Sequence, residues 1–169
     1  MGKICTLELK TRPAAFAGGR QRDTENFLLF LKFTIPLEPE GKKEARRNQN
    51  GHVFKHPDTR RRMEEIAGIV RAQYPGEPID GPIFLRINAY RTRPKGKKHE
   101  VYAATKPDCD NIEKLIGDAL EGILWVNDSR IVDGRCLKKY APMGVPGWID
   151  IEVGKLDVTA REPFLEEII

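Results

Sequence analysis

The sequence predicts an α+β protein, an α/β two-layer arrangement in which a mixed β-sheet carries two main helices packed on one face. Segments with period-two alternation of apolar and polar residues recur along the chain, and they are interleaved with two segments whose apolar residues fall at helical spacing. The length of 169 residues, with 40% hydrophobic and 32% charged residues, supplies one ordinary core rather than two.

Taken in order, residues 3–10 alternate weakly through Cys5, Leu7 and Leu9 and predict an edge strand. Residues 11–24, with Pro13 and two adjacent glycines, predict a loop. Phe27–Ile35 predicts a strand buried at its start and alternating at its end, stopped by Pro36 and Pro39. The stretch 38–55 is polar, contains Gly41 and Gly51, offers no apolar face and predicts a basic loop. A helix follows, with Asp58 or Thr59 as N-cap and Met63, Ile66, Ala67, Val70 and Tyr74 on its apolar face, ending at Pro75 and Gly76. Its first turn carries Arg60, Arg61 and Arg62, which oppose the helix macrodipole unless an anion such as phosphate lies nearby.

Residues 83–93 alternate and predict a strand, followed by a basic loop at 94–99. The second helix has the continuous stripe Ile112, Leu115, Ile116, Ala119, Leu120 and Ile123, with Gly122 at its end. Strands are predicted at 130–137 and 148–153. The domain organisation is therefore an N-terminal extension over 1–25, one folded domain over 26–155 and an acidic tail over 156–169.

Composition narrows the function classes. The longest apolar run is interrupted by Lys32 and falls short of the roughly 20 residues a membrane-spanning helix needs. No signal-like segment opens the chain, so the cytoplasm is the expected location. Cys5, Cys109 and Cys136 are odd in number and widely spaced, which argues against disulfides, and with His52, His56 and His99 they form no zinc-ligand spacing. The net charge is only +4, but residues 41–100 hold 15 Lys plus Arg against 7 Asp plus Glu, while residues 141–169 hold 2 against 6. Such asymmetry fits a polyanion-binding face, and equally a solvated basic one.

Chemistry concentrates in residues 106–114. Asp108 and Asp110 stand two apart at the mouth of the second helix, and Lys114 and Asp118 continue the face of Asp110 opposite the apolar stripe. Some 20 residues later, Asp128 lies in the turn into the next strand. If Asp108, Asp110 and Asp128 converge, their mutual repulsion calls for a cation, and oxygen-only ligands favour Mg²⁺ or Mn²⁺. Lys114 then offsets charge at a reacting phosphate. The same residues also fit a structural role, with Asp110 as helix cap, Lys114 as its ion-pair partner and Asp128 closing a turn with Asn127 and Ser129.

Lys106-Pro107-Asp108-x-Asp110-Asn111-x-x-Lys114-x-x-x-Asp118-Ala119-Leu120, then Trp125-Val126-Asn127-Asp128-Ser129-Arg130-Ile131-Val132 and Lys138-Lys139-Tyr140, resembles the signature of the RusA family of crossover junction endodeoxyribonucleases, the Holliday junction resolvases. The resemblance extends more weakly over residues 27–153. It implies a RusA-like fold and a homodimer that cuts branched DNA at a four-way junction in recombination and repair. It also implies Mg²⁺ as cofactor, with Mn²⁺ as a substitute, held by Asp108, Asp110 and Asp128, and Lys114 as the catalytic lysine. Arg46, Arg47, Lys55, Arg60 and Arg61 are the expected DNA contacts. Two positions depart from the family pattern: Asn127 stands where an aspartate is common, and Glu38, Glu40 and Glu44 dilute the basic loop. Asn127 keeps open the alternative of a degenerate relative that binds branched DNA without cutting it.

Overall fold

Phe27–Ile35 forms the first strand, β1, and its alternation is realised in three dimensions: Leu31, Phe33 and Ile35 are buried while Lys32 and Thr34 face out. The computed structural model describes residues 27–43, 46, 47, 53, 54 and 56–156. The strand expected within 3–10, the loop at 11–24 and the acidic tail beyond Leu156 lie outside the described residues.

Four strands make the main sheet, in the order β1-β6-β4-β5, where β4 is Ile83–Arg91, β5 is Ile131–Tyr140 and β6 is Trp148–Leu156. β6 is antiparallel to both β1 and β4, and β4 and β5 are parallel. A parallel neighbour requires a crossover, and the chain makes it through the helix α2, Cys109–Leu120. The other helix, α1, spans Pro57–Gln73. The sheet is thus mixed, as the patterning predicts.

Register puts one apolar row across three strands. Phe33 and Ile87 both face Ile151, Leu31 and Leu85 both face Val153, and Ile35 and Ala89 both face Ile149. These residues join Ile66, Ala67 and Val70 of α1 and Ile112, Leu115, Ile116, Ala119 and Leu120 of α2 in a single core, so both helices cover the same face of the sheet. Each fully buried Leu or Ile contributes about 1.5–3 kcal/mol of transfer free energy. The opposite face is polar and aromatic: Lys32 pairs with Glu152 at 3.1 Å, Thr34 donates to Asp150 at 2.8 Å, and Tyr90 stacks on Trp148 with centroids 4.2 Å apart.

Three expectations are corrected by packing. The α1 cap is His56, whose Nδ1 accepts from the Asp58 N–H at 3.2 Å, with Pro57 at the first helical position. Thr59 lies inside the helix, buried, and its hydroxyl accepts from the Lys43 N–H at 3.1 Å. The stretch 38–55 is not structureless, since Arg46–Arg47 (β2) and Val53–Phe54 (β3) pair antiparallel. Finally, β5 continues to Tyr140 and β6 to Leu156. Residues 138–140 lack alternation but are held by β4 on one side and by the 101–103 segment on the other, where Ala103 donates to the Lys138 carbonyl and Tyr140 to that of Val101. Cys109 and Cys136 are free thiols; the Cys109 thiol donates to the Cys136 carbonyl at 3.4 Å, and burial pushes the Cys136 thiol pKa up.

Candidate active site

The apolar stripe of α2 faces the sheet, so its opposite side is presented to solvent. Asp110 and Lys114, four residues apart on that side, form an ion pair at 3.1 Å. The Lys114 ammonium holds the Asp110 carboxyl below the usual carboxylate range, keeping it ionised. One turn further on, Gly117 lies on the same face, and Asp128 is folded back against it. A Cβ added at Gly117 would stand 3.3 Å from Asp128 Oδ2. Lys114 and Asp128 border the same small cavity of about 230 Å³, together with Glu113, Asp118 and Gly134. Along the helix, Lys114 therefore stands between Asp110 and the seat of Asp128.

Asp128 opens a 3-10 turn, Asp128–Arg130. Its Oδ1 accepts from the Trp125 indole N–H at 2.9 Å, and its own N–H reaches Glu121 Oε1 at 3.4 Å. Asn127 caps this turn, accepting from the Ser129 N–H at 2.8 Å. Its side-chain oxygen does the work that an aspartate oxygen would do there, so the departure from the family pattern preserves local structure.

Asp108 occupies a different position. It is the N-cap residue of α2, extended in backbone, and its carboxylate makes no cap hydrogen bond. The structural alternative of Asp110 as helix cap is therefore replaced: Asp110 lies in the first turn, paired with Lys114. Asp108 follows the cis Lys106–Pro107 peptide and lines a cleft of about 650 Å³ of mixed charge, with Lys42, Lys43, Arg61, Arg91 and Lys106 set among Glu38, Glu40 and Asp58. The segment 41–43 ties this cleft together. Lys42 donates its N–H to the Asn111 carbonyl at 2.9 Å and its ammonium pairs with Asp118 at 2.8 Å, while Lys43 pairs with Asp58 at 2.6 Å.

The residues expected at the site are thus brought together in part. Asp110 and Lys114 are paired, Lys114 and Asp128 share a cavity, and Asp108 lines the neighbouring cleft. Among the described residues, no three His, Cys, Asp or Glu side chains stand close enough to hold one ion. The donor set is nonetheless oxygen-only, and Mg²⁺ is commonly bound by one or two carboxylates with water and substrate phosphate completing its shell. Asp128 with Glu113 or Asp118 beside the cavity fits that mode.

The arginines of α1 find carboxylate partners within the protein. Arg60 pairs with Glu64 at 3.0 Å, Arg61 approaches Glu65 at 3.9 Å, and Arg62 bonds to Glu40 and Glu65. Glu64 and Glu65, one turn along, offset part of the arginine charge in the free protein, and Arg60 and Arg61 remain largely exposed. Arg46 and Arg47 belong to β2, while Lys55 lies outside the described residues. Sequence reasoning missed Trp125, Gly117, Glu113 and Lys42; only Trp125 carried a signal, as part of the motif that includes Asp128.

Fold and site together define a small α+β protein with aspartates and a lysine displayed on the outer face of a crossover helix. The family model of the endodeoxyribonuclease RusA matches residues 36–152, and the chain belongs to that family. All of Lys106, Asp108, Asp110, Lys114, Asp118 and Asp128 lie within the matched span. The uncharacterized protein YqaN of Bacillus subtilis (strain 168) is 31% identical over 125 residues, covering 66% of this chain and 88% of that protein. No described helix is long and apolar enough to cross a membrane.

Proposed function

We propose that the protein is a Mg²⁺-dependent, structure-specific endonuclease that resolves Holliday junctions by paired phosphodiester hydrolysis in DNA recombination and repair. The observation that carries this is the Asp110–Lys114 pair and Asp128 aligned on one solvent-facing side of α2, inside the span matched by an endodeoxyribonuclease family. Asp128 beside the small cavity, with Glu113 or Asp118, would hold Mg²⁺, or Mn²⁺ in its place. Asp110 and Asp108 at the helix mouth, expected from the family pattern as further ligands, do not meet Asp128 around one ion here. When bound, the ion would polarise the phosphodiester and lower the pKa of water.

The chain's own residues have distinct parts. Asp110 stays ionised because Lys114 lies against it. Lys114, exposed and centred between the carboxylates, is free to turn from Asp110 toward a phosphate oxygen and offset the charge that builds there. Arg61, Lys42, Lys43 and Lys106 border the cleft beside Asp108 and would receive the flanking backbone, with Arg46, Arg47, Lys55 and Arg60 extending the contact. Two coordinated cuts on a symmetric junction are most simply made by two related sites, so the working form is a homodimer, acting on branched DNA in the cytoplasm.

The alternative, a non-cleaving relative that only binds branched DNA, rests on Asn127. Because Asn127 serves as a turn cap and leaves Asp128 in its seat, the cleaving enzyme is the better reading. The test is incubation with a synthetic four-way junction and a matched duplex in Mg²⁺, Mn²⁺ or EDTA, with products resolved on a denaturing gel. Paired symmetric nicks in the junction alone, lost in EDTA and in Asp110→Asn, are expected. Binding without nicks would support the alternative, and undiminished cleavage by Asp110→Asn would remove Asp110 from the site.

A further inference from the structure

We propose that Trp125 is a positioning residue that, with Gly117 also against the carboxylate, seats Asp128 for metal binding; this rests on the metal-dependent nuclease reading above. Trp125 is fully buried, yet its indole N–H is aimed at Asp128 Oδ1 at 2.9 Å. A buried indole donor needs an acceptor, and a charge-assisted bond to a carboxylate is among the stronger ones available. The ring is packed within the core. Its backbone is clamped between Gly122, which donates to the Trp125 carbonyl at 2.7 Å, and Ile79, which bonds to Leu124 and Val126 on either side. Gly122 has φ +73°, a conformation that L side chains rarely adopt, so the tight return that delivers Trp125 depends on glycine.

Gly117 supplies the other wall. Asp128 Oδ2 lies 3.3 Å from where a Cβ would be, so an alanine would require the carboxylate to give by a few tenths of an ångström, while Oδ1 at 3.5 Å would be in ordinary contact. The indole bond holds Oδ1 while Gly117 bounds Oδ2, and the remaining open side of the carboxylate is the small cavity it lines. The helix, the turn and the buried tryptophan therefore set the direction of a carboxylate that its exposed 3-10 turn alone would leave free. Partners that orient a metal-binding carboxylate typically change metal affinity by roughly 10–100-fold when removed.

The two walls separate function from folding. Trp125→Phe keeps the apolar ring but deletes the donor. Gly117→Ala adds a methyl against Asp128 at a helix-interior position where alanine has the better propensity, and a thermal unfolding curve taken alongside separates folding from metal dependence. Both variants of the full chain should need roughly 10–100-fold more Mg²⁺ for half-maximal junction cleavage, with much of the rate restored at saturating Mg²⁺. A direct readout comes from ¹⁵N-labelled protein, since the chain has two tryptophans. The indole resonance lost in Trp125→Phe should move saturably as Mg²⁺ is added to wild type, and should stay still in Asp128→Asn. Unchanged Mg²⁺ dependence in both folded variants, or an indole resonance indifferent to Mg²⁺ in a cleaving wild type, would overturn the positioning role alone. A wild type that neither cleaves nor responds to Mg²⁺ would overturn the nuclease reading, and this inference with it.

Discussion

Lys114 and Asp110 are both well exposed, and an exposed pair of this kind adds little to stability. Lys114→Met should therefore leave the thermal unfolding midpoint nearly unchanged while removing junction cleavage; parallel melting and gel assays check both halves. Gly154 behaves in the opposite way. It faces the outer side of β6, and an added Cβ would overlap the Phe84 ring directly. Gly154→Ala is expected to destabilise the protein by about 1–3 kcal/mol through overpacking, measured by denaturant titration, with the chemistry of Asp128 untouched. Asp58 provides a pH-dependent case. Its carboxyl is lowered from the ordinary value of 3.8, first by the Lys43 hydrogen bond. A depressed carboxyl stabilises the fold above its unfolded value, and the contribution is lost as pH falls through the lower folded value. Asp58→Asn should accordingly flatten the acid limb of the stability curve, and an unaltered limb would count against the Lys43 pairing.

At the level of elements, α1 illustrates how a helix boundary escapes periodicity. Asp58 and Thr59 have the better intrinsic capping propensity, yet Pro57 already satisfies the first helical position and His56 Nδ1 is in reach of the Asp58 N–H. His56→Ala should weaken α1 and lower stability by about 1 kcal/mol, checked by thermal unfolding near neutral pH. Thr59 is then released for a tertiary task, accepting from Lys43 and anchoring the 41–43 segment to α1. The same segment bonds to Asn111 of α2. Two helix N-termini are thereby joined at the edge of the cleft that holds Asp108. α2 was legible over most of its length from its continuous apolar stripe, but it ends at Leu120, so Ile123, expected on the stripe, is buried in the turn beyond Gly122 instead.

For the whole molecule, β6 is the organising strand, and Ile151 sits at its centre between Phe33 and Ile87. Ile151→Ala should cost about 2–5 kcal/mol, read from chemical denaturation, because a cavity there is shared by three strands. If the proposed homodimer is the working form, sedimentation equilibrium should return twice the 19.2 kDa chain mass, and a monomer at the concentrations that support paired cleavage would exclude it.

The patterning of apolar residues was enough to establish the α+β class, the bounds of β1 and the two helices with their buried faces, because side-chain period reports which face is buried before any partner is known. However, β1 is buried along its alternating second half, with Leu29 and Phe30 only half-buried, rather than at its start. The order of Asp108, Asp110, Lys114 and Asp128 was likewise visible as a motif. Packing was needed for everything that depends on distant chain segments meeting. β5 extends to Tyr140 because β4 pairs with it to the end and residues 101–103 bond to its other side, and the α1 arginines are offset by Glu40, Glu64 and Glu65. Trp125 and Gly117 become neighbours of one carboxylate through a turn whose geometry no local period encodes. Local propensity is a property of short windows, whereas a site is defined by distances across them, and those distances exist only once the core has closed.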